Sequence, residues 1–282
     1  TESLGQNAVE LEQLRVPLLV ENDRLEEALA AYRNIISALD AQDSVAVARV
    51  QAEIIKIRVR EAGLQLEQLS EELDVLVVQM SNIEDGSVQA LLGLQVAGAI
   101  VSYKPAYVVD FITEITGFLD RAEAELADDP SHMAYVSGYR GGMSLALYFD
   151  AREENKSLGI DEAFAYTRAA LLLSYQNQLD RQTFRWQRQL ARIYQANNDV
   201  ENALANYEAA LVSLASIETQ LSSGTLTMFN DHVFPVYQEY LELLIGEALK
   251  PGQQSKNTLV TRIQEVIESR NRSEILEYFA GN

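Results

Sequence analysis

The chain has 282 residues, 48% of them hydrophobic, with 22 basic against 42 acidic side chains, a net charge of −20 and no cysteine. That length accommodates one large domain or two of roughly 100–200 residues and is ample for a buried core. Without Cys there is no disulfide framework, thiolate metal site or cysteine nucleophile, and the acidic balance repels phosphate backbones, which argues against nucleic acid or an anionic membrane as partner.

With 14 Gly and 5 Pro, the composition points away from a loop-rich β protein and toward helices. The chain opens TESLGQN, with no initiator Met and no visible signal peptide, so a processed or excised piece of a longer protein is the expectation. Asp23 is placed to cap a first helix, DRLEEALAAYRNIISAL. Next, Val45, Ala48, Ala52, Ile55, Val59, Ala62, Leu66, Leu69, Leu73, Leu76 and Met80 recur at spacings of three and four. This heptad pattern predicts one long helix from about Gln42 to Ser81 with a single apolar seam. Two covers for that seam remain open: the preceding helix of the same chain packed antiparallel to it, or a second copy of the protein, giving a homodimer.

The NIEDGS break at 82–87 separates an expected long-helix hairpin, residues 1–86, from a second region, residues 87–282. The uncharged run from Ser87 to Tyr103 would span about 25 Å as a helix, short of the roughly 30 Å of a bilayer core, and reads as a core helix rather than a membrane span. Further helices are expected at 106–127, 131–153, 160–178, 181–197, 200–221, 231–249 and 256–270. Pro105, Pro130 and Pro235 sit where helices begin, with Asp129 as a cap for the second of these. Helices in pairs joined by short polar turns predict an all-α, antiparallel helix-hairpin solenoid.

The clearest hairpin is RWQRQLARIYQANNDVENALANYEAALVSLAS, residues 185–216. Leu190, Ala191 and Tyr194 in its first helix, and Ala203, Tyr207 and Ala210 in its second, resemble the tetratricopeptide repeat (TPR). In that family small residues bring the two axes together and aromatics fill the space between hairpins. Gln187 stands at the family's usual Trp position, beside Trp186, and Asn198 replaces the usual turn Gly. Degenerate units with Ala163, Thr167 and Ala170, and with Ala28 and Tyr32, complete an irregular array. An insertion is expected around Asn155 to Gly159.

The order of the C-terminal segments carries a second resemblance. EAFAYTRAALLLSYQ, a repeat, VFPVYQEYLELLI and then RIQEVIESRNRSEILEYFAGN are similar to the stretch that precedes the caspase-like domain in bacterial CHAT-domain proteins. Val266, Ile267, Glu268, Ser273, Glu274, Ile275, Tyr278 and Phe279 stand where that family's terminal amphipathic linker lies. The resemblance implies a non-catalytic region that engages a partner protein or the caspase-like domain of the same parent chain.

Catalytic constellations find little support. His132 and His232 lie a hundred residues apart without Cys or an H-E-x-x-H pair, so no metal or cofactor is expected. Gly138, Gly141 and Gly142 lack the Lys-Ser/Thr of a phosphate cradle and read as close-packing positions. Arg181, Arg185, Arg188 and Arg192 recur at four, three and four residues along one helix face, and Gln195 continues the line. The resemblance to the tetratricopeptide repeat implies that Arg185, Arg188 and Arg192 line a concave groove, and guanidinium groups take carboxylates bidentately, so one reading is a groove for an acidic peptide or protein. The other is internal pairing with Asp180, Glu201 or acids of a neighbouring hairpin. The function expected is that of a protein-binding regulatory scaffold, with a dimerising coiled-coil spacer as the alternative.

Overall fold

A computed structural model describes residues 12, 14–20, 22–40, 42–61, 63–150, 156–218, 233–251 and 255–280. The helices are α1 (Leu25–Ala38), α2 (Ser44–Arg58), α3 (Leu66–Ser81), α4 (Gly86–Tyr103), α5 (Ile112–Glu125), α6 (Pro130–Phe149), α7 (Lys156–Gln176), α8 (Asp180–Ala196), α9 (Val200–Glu218), α10 (Phe234–Ala248) and α11 (Lys256–Ala280). A 3₁₀ turn, Pro105–Tyr107, follows α4. No strand occurs among the described residues, and neighbouring helices pack in pairs as an all-α helical-repeat solenoid. Two compact units divide the chain, Thr1–Tyr166 and Thr167–Asn282, so the expected division at 86/87 falls inside the first of them.

The long helix expected over 42–81 is instead two helices, α2 and α3, with a turn at residues 59–65. The apolar spacing continues through the turn, which consumes one heptad, and the seam closes on itself. Ala48, Ala52, Ile55 and Val59 on one arm and Leu69, Leu73, Leu76 and Met80 on the other all lie in one buried core. The seam is thus covered within the chain by its own fold-back rather than by the preceding helix α1. Ala62 lies outside the described residues. The turn is held from outside: Lys104 Nζ donates to the Glu61 carbonyl at 2.7 Å and Tyr107 Oη to the Leu64 carbonyl at 2.6 Å.

Around this hairpin, α2 also packs Ile54 and Ile57 against Ala28, Leu29, Ala31 and Ile35 of α1. Asp23 does not cap α1 as expected. It takes a left-handed φ of 55° in the preceding turn, and Arg24 occupies the cap position with no side-chain hydrogen bond. Elsewhere aspartates do cap: Asp43 accepts from Ala46 N–H on α2, Asp85 from Ser87 and Val88 on α4, and Asp129 from Ser131 and His132 on α6. Each satisfies backbone donors that the first helical turn leaves open.

The uncharged run forms α4, the centre of the first unit. By length and composition alone it could cross a membrane, yet Ala90, Leu92, Leu94, Val96, Ala97, Ile100 and Val101 are buried against α2, α5 and α6. Two glycines let its neighbours approach. A Cβ on Gly98 would overlap the Tyr139 ring, and one on Gly93 would come within 2.9 Å of Phe118. In α6, Gly138 and Gly141 are buried and Gly142 is half-buried.

In the second unit α8 and α9 form the expected hairpin. Ala191, Ala203, Tyr207 and Ala210 are fully buried and Leu190 nearly so. Asn198 serves in place of glycine because asparagine tolerates the left-handed region: its φ is 59°, and the Asp199 N–H reaches back to the Tyr194 carbonyl at 2.9 Å. The polar departures from the repeat pattern are buried as partners. Gln189 Nε2 donates to Thr167 Oγ1 and Gln187 Nε2 to Tyr175 Oη, both at 2.8 Å. The last helix runs to Ala280 rather than ending near 270, with Val266 and Ser273 buried. The side chains of Glu274, Ile275, Tyr278 and Phe279, together with His232 and the residues from 151 to 155, lie outside the described set.

Two measurements check this packing. Gly98→Ala is expected to destabilise the chain by about 1–3 kcal/mol through overpacking, whereas Gly117→Ala, where a Cβ meets nothing within 4 Å on an exposed helical position, should gain up to about 1 kcal/mol in urea unfolding. Because the seam closes within the chain, the midpoint of thermal unfolding should not shift with protein concentration, and Leu73→Lys should unfold the monomer rather than dissociate a dimer.

Candidate functional site

Of the two units, the first carries 12 basic against 29 acidic residues and the second 10 against 13. Nearly all the negative charge therefore belongs to the first unit, and the arginine stripe belongs to the second. Helix α8, DRQTFRWQRQLARIYQA, holds the stripe. Its apolar and amide residues Phe184, Trp186, Gln187, Leu190, Ala191 and Ile193 are buried, which leaves the arginine face turned outward by the 3.6-residue period.

Two of the arginines share a partner. Arg188 forms a fork with Glu239 of α10, Nε to Oε2 at 2.9 Å and a terminal nitrogen to Oε1 at 2.6 Å. Arg192 Nε lies 4.0 Å from the same Glu239 Oε1. The Tyr207 hydroxyl, from α9, sits 3.2 Å from Glu239 Oε2 and 3.3 Å from Gln195 Oε1, so its single proton serves one of these acceptors at a time. An acid of a neighbouring hairpin thus neutralises part of the stripe, though it is Glu239 rather than Asp180 or Glu201.

The remaining two arginines are placed differently. Arg181 is exposed at the start of α8 and makes no ion pair among the described residues. Arg185 packs its guanidinium 6.0 Å from the centroid of the Phe184 ring, and its buried Nε has no hydrogen-bond partner among the described residues. Among the described residues, four guanidiniums therefore have one carboxylate within ion-pair distance on this side of the helix.

Behind Glu239 the network continues through the hairpin. The Tyr207 and Tyr240 rings stack at 5.8 Å, and Arg262 of α11 donates Nε to Tyr240 Oη at 3.2 Å while pairing with Glu208 and with Glu265. Burial, reinforced by the Glu239 charge, pushes the Tyr207 phenol above its ordinary value of 10. Burial also raises Tyr240, against the opposing pull of Arg262. The spacing of arginines announced the stripe. Glu239 and the tyrosine hydroxyls gave no such signal, because a single acid in an acidic chain carries no information until its helix is placed.

Other concavities and titratable groups offer less. An open cleft of about 480 Å³ in the first unit is lined by Asp23, Arg24, Glu26, Glu27, Arg58 and Glu61 among others. Its arginines are already engaged, Arg24 with Glu27 at 2.6 Å and Arg58 with Glu61 at 2.9 Å. His132 sits beside the α6 cap, its Nδ1 2.9 Å from Asp129 Oδ2. No group of three or more His, Asp or Glu side chains suited to a metal ion occurs among the described residues. No protein-family model matches the sequence, and no curated protein matches it.

Because Arg188 and Glu239 are each only 25% exposed, a double-mutant cycle with Arg188→Met and Glu239→Gln should give a coupling on the order of 1 kcal/mol, at the upper end for solvated pairs. The raised phenols set an alkaline limit. The unfolded chain releases these protons near pH 10 while the folded one retains them, so stability falls as pH rises above about 10. Tyr207→Phe should flatten that fall in chemical denaturation series from pH 9 to 11, and an unchanged slope would show that other groups govern it.

Proposed function

We propose that this chain is a non-catalytic protein-binding scaffold whose TPR-like hairpins present the α8 arginine face to an acidic segment of a partner. The observation that carries the reading is the imbalance on that face: Arg181, Arg185, Arg188 and Arg192 against Glu239 alone among the described residues. In a chain of net charge −20, guanidiniums gathered on one helix and left short of carboxylates favour an external acid. Gln195, exposed at the end of the same line, adds an amide able to contact a peptide backbone. Stacked hairpins suit this task because they offer an extended, rigid surface without requiring chemistry.

The resemblance of residues 131–279 to the region before a caspase-like domain supports a place in a bacterial CHAT-type protein. There the array would deliver a partner to the protease or restrain it. The continuous α11, which includes the segment resembling the family's linker, is compatible with a rigid connection to a protease domain in such a protein.

Fluorescence anisotropy with an acidic peptide tests the reading. Binding should weaken by an order of magnitude or more between 50 and 500 mM salt, and Arg181→Glu/Arg185→Glu/Arg192→Glu should abolish it with unchanged helical circular dichroism. If the charge-reversed variant binds as well as the native chain, the arginine face is not the binding surface.

A further inference from the structure

Resting on the binding reading above, we infer that the ligand is an extended peptide carrying two carboxylates on alternate residues, and that it docks on Arg181 and Arg185 rather than on the whole stripe. The stripe is divided by its internal partner. Glu239 closes the Arg188 fork with two hydrogen bonds and lies at 4.0 Å from Arg192, so a ligand carboxylate arriving there meets an acid already in place. At the other end no acid is within ion-pair distance of Arg181 or Arg185 among the described residues. Asp180 precedes Arg181 but projects about 100° away around the helix.

Arg185 is prepared for such a contact. Its neighbour Phe184 is 1% exposed, and the guanidinium lies against that ring, so the side chain surrenders little rotamer freedom on binding. Its Nε is buried and lacks an acceptor among the described residues, so a ligand carboxylate meets the terminal nitrogens of this guanidinium rather than Nε. Arg181, one turn earlier, supplies an exposed second fork on the same face.

The spacing defines the ligand. Four helical residues separate the two arginines by about 6 Å along the axis. In an extended chain, side chains two residues apart point the same way and stand about 6.6–6.8 Å apart. Adjacent acids point to opposite faces, and acids four residues apart overshoot by about a factor of two. An acid-x-acid pair matches the Arg181–Arg185 interval directly, whereas the same two charges in another arrangement engage both arginines only if the side chains are drawn together or splayed apart.

The test uses the full chain and three fluorescein-labelled peptides of identical composition, each with two glutamates in a Gly/Ser/Ala background: Glu-x-Glu, Glu-Glu and Glu-x-x-x-Glu. Anisotropy titration at 50 mM salt is expected to show the alternate-residue peptide binding at least fivefold more tightly than its isomers. Arg181→Gln/Arg185→Gln should cost at least tenfold for that peptide, Arg192→Gln less than twofold, and Glu239→Gln should not weaken it. Equal affinity for all three isomers, or a loss with Arg192→Gln equal to that with the Arg181→Gln/Arg185→Gln pair, would overturn this assignment while leaving the scaffold reading standing. No binding of any acidic peptide to the native chain would overturn both.

Discussion

How closely one helix can approach the next is set here by residues with almost no side chain. Ala48, Ala52, Ala90, Ala97 and Ala122 in the first unit, and Ala170, Ala191, Ala203 and Ala210 in the second, are all fully buried. At each, a larger side chain would push the partner axis outward and open voids along the interface. Gly93 and Gly98 extend the same logic to α4, where the Phe118 and Tyr139 rings occupy the space a Cβ would take. Close approach inside a hairpin then leaves gaps between hairpins, and large residues such as Tyr207 and Tyr240 fill them.

Tight packing also sorts charge. A helix between two others retains only a narrow face for solvent, and whatever residues fall on that face are presented together. In α8 the arginines fall there. Glu239, carried by α10, reaches two of them, and Tyr207 reaches Glu239 from α9, so three helices meet in one polar cluster. Such a cluster fixes the rotation of α10 against α8 more strongly than aliphatic contacts could, because a fork–carboxylate pair tolerates only small displacements. Among the described residues it also leaves the first two arginines of the stripe outside the internal pairing.

The polar substitutions in the repeat pattern obey the same demand for matched partners. Thr167 and Gln187 stand where the resembled family carries aromatics, and a bare substitution of that kind would bury unsatisfied polar atoms. Thr167 is matched across the α7–α8 interface by Gln189, and Gln187 in part, its Nε2 donating to Tyr175 while its buried Oε1 has no partner among the described residues. Irregularity in the array is therefore compensated locally at Thr167 and only partly at Gln187.

Hairpin α8–α9 was legible in the sequence down to individual residues, because the period of small and aromatic positions encodes which face is buried. So was the Asp129 cap, whose local hydrogen bonds need no distant partner. The heptad spacing did not reveal the break between α2 and α3, since it is the same whether the chain continues or folds back after one heptad; the local signals are Gly63 and the Gln65–Gln68 capping box. Lys104 and Tyr107, some forty residues away, take up the turn's carbonyls. The division of the arginine stripe waited on the placement of α10. Periodicity determines which side of a helix is buried; only packing determines what it is buried against, because that depends on residues no local pattern connects.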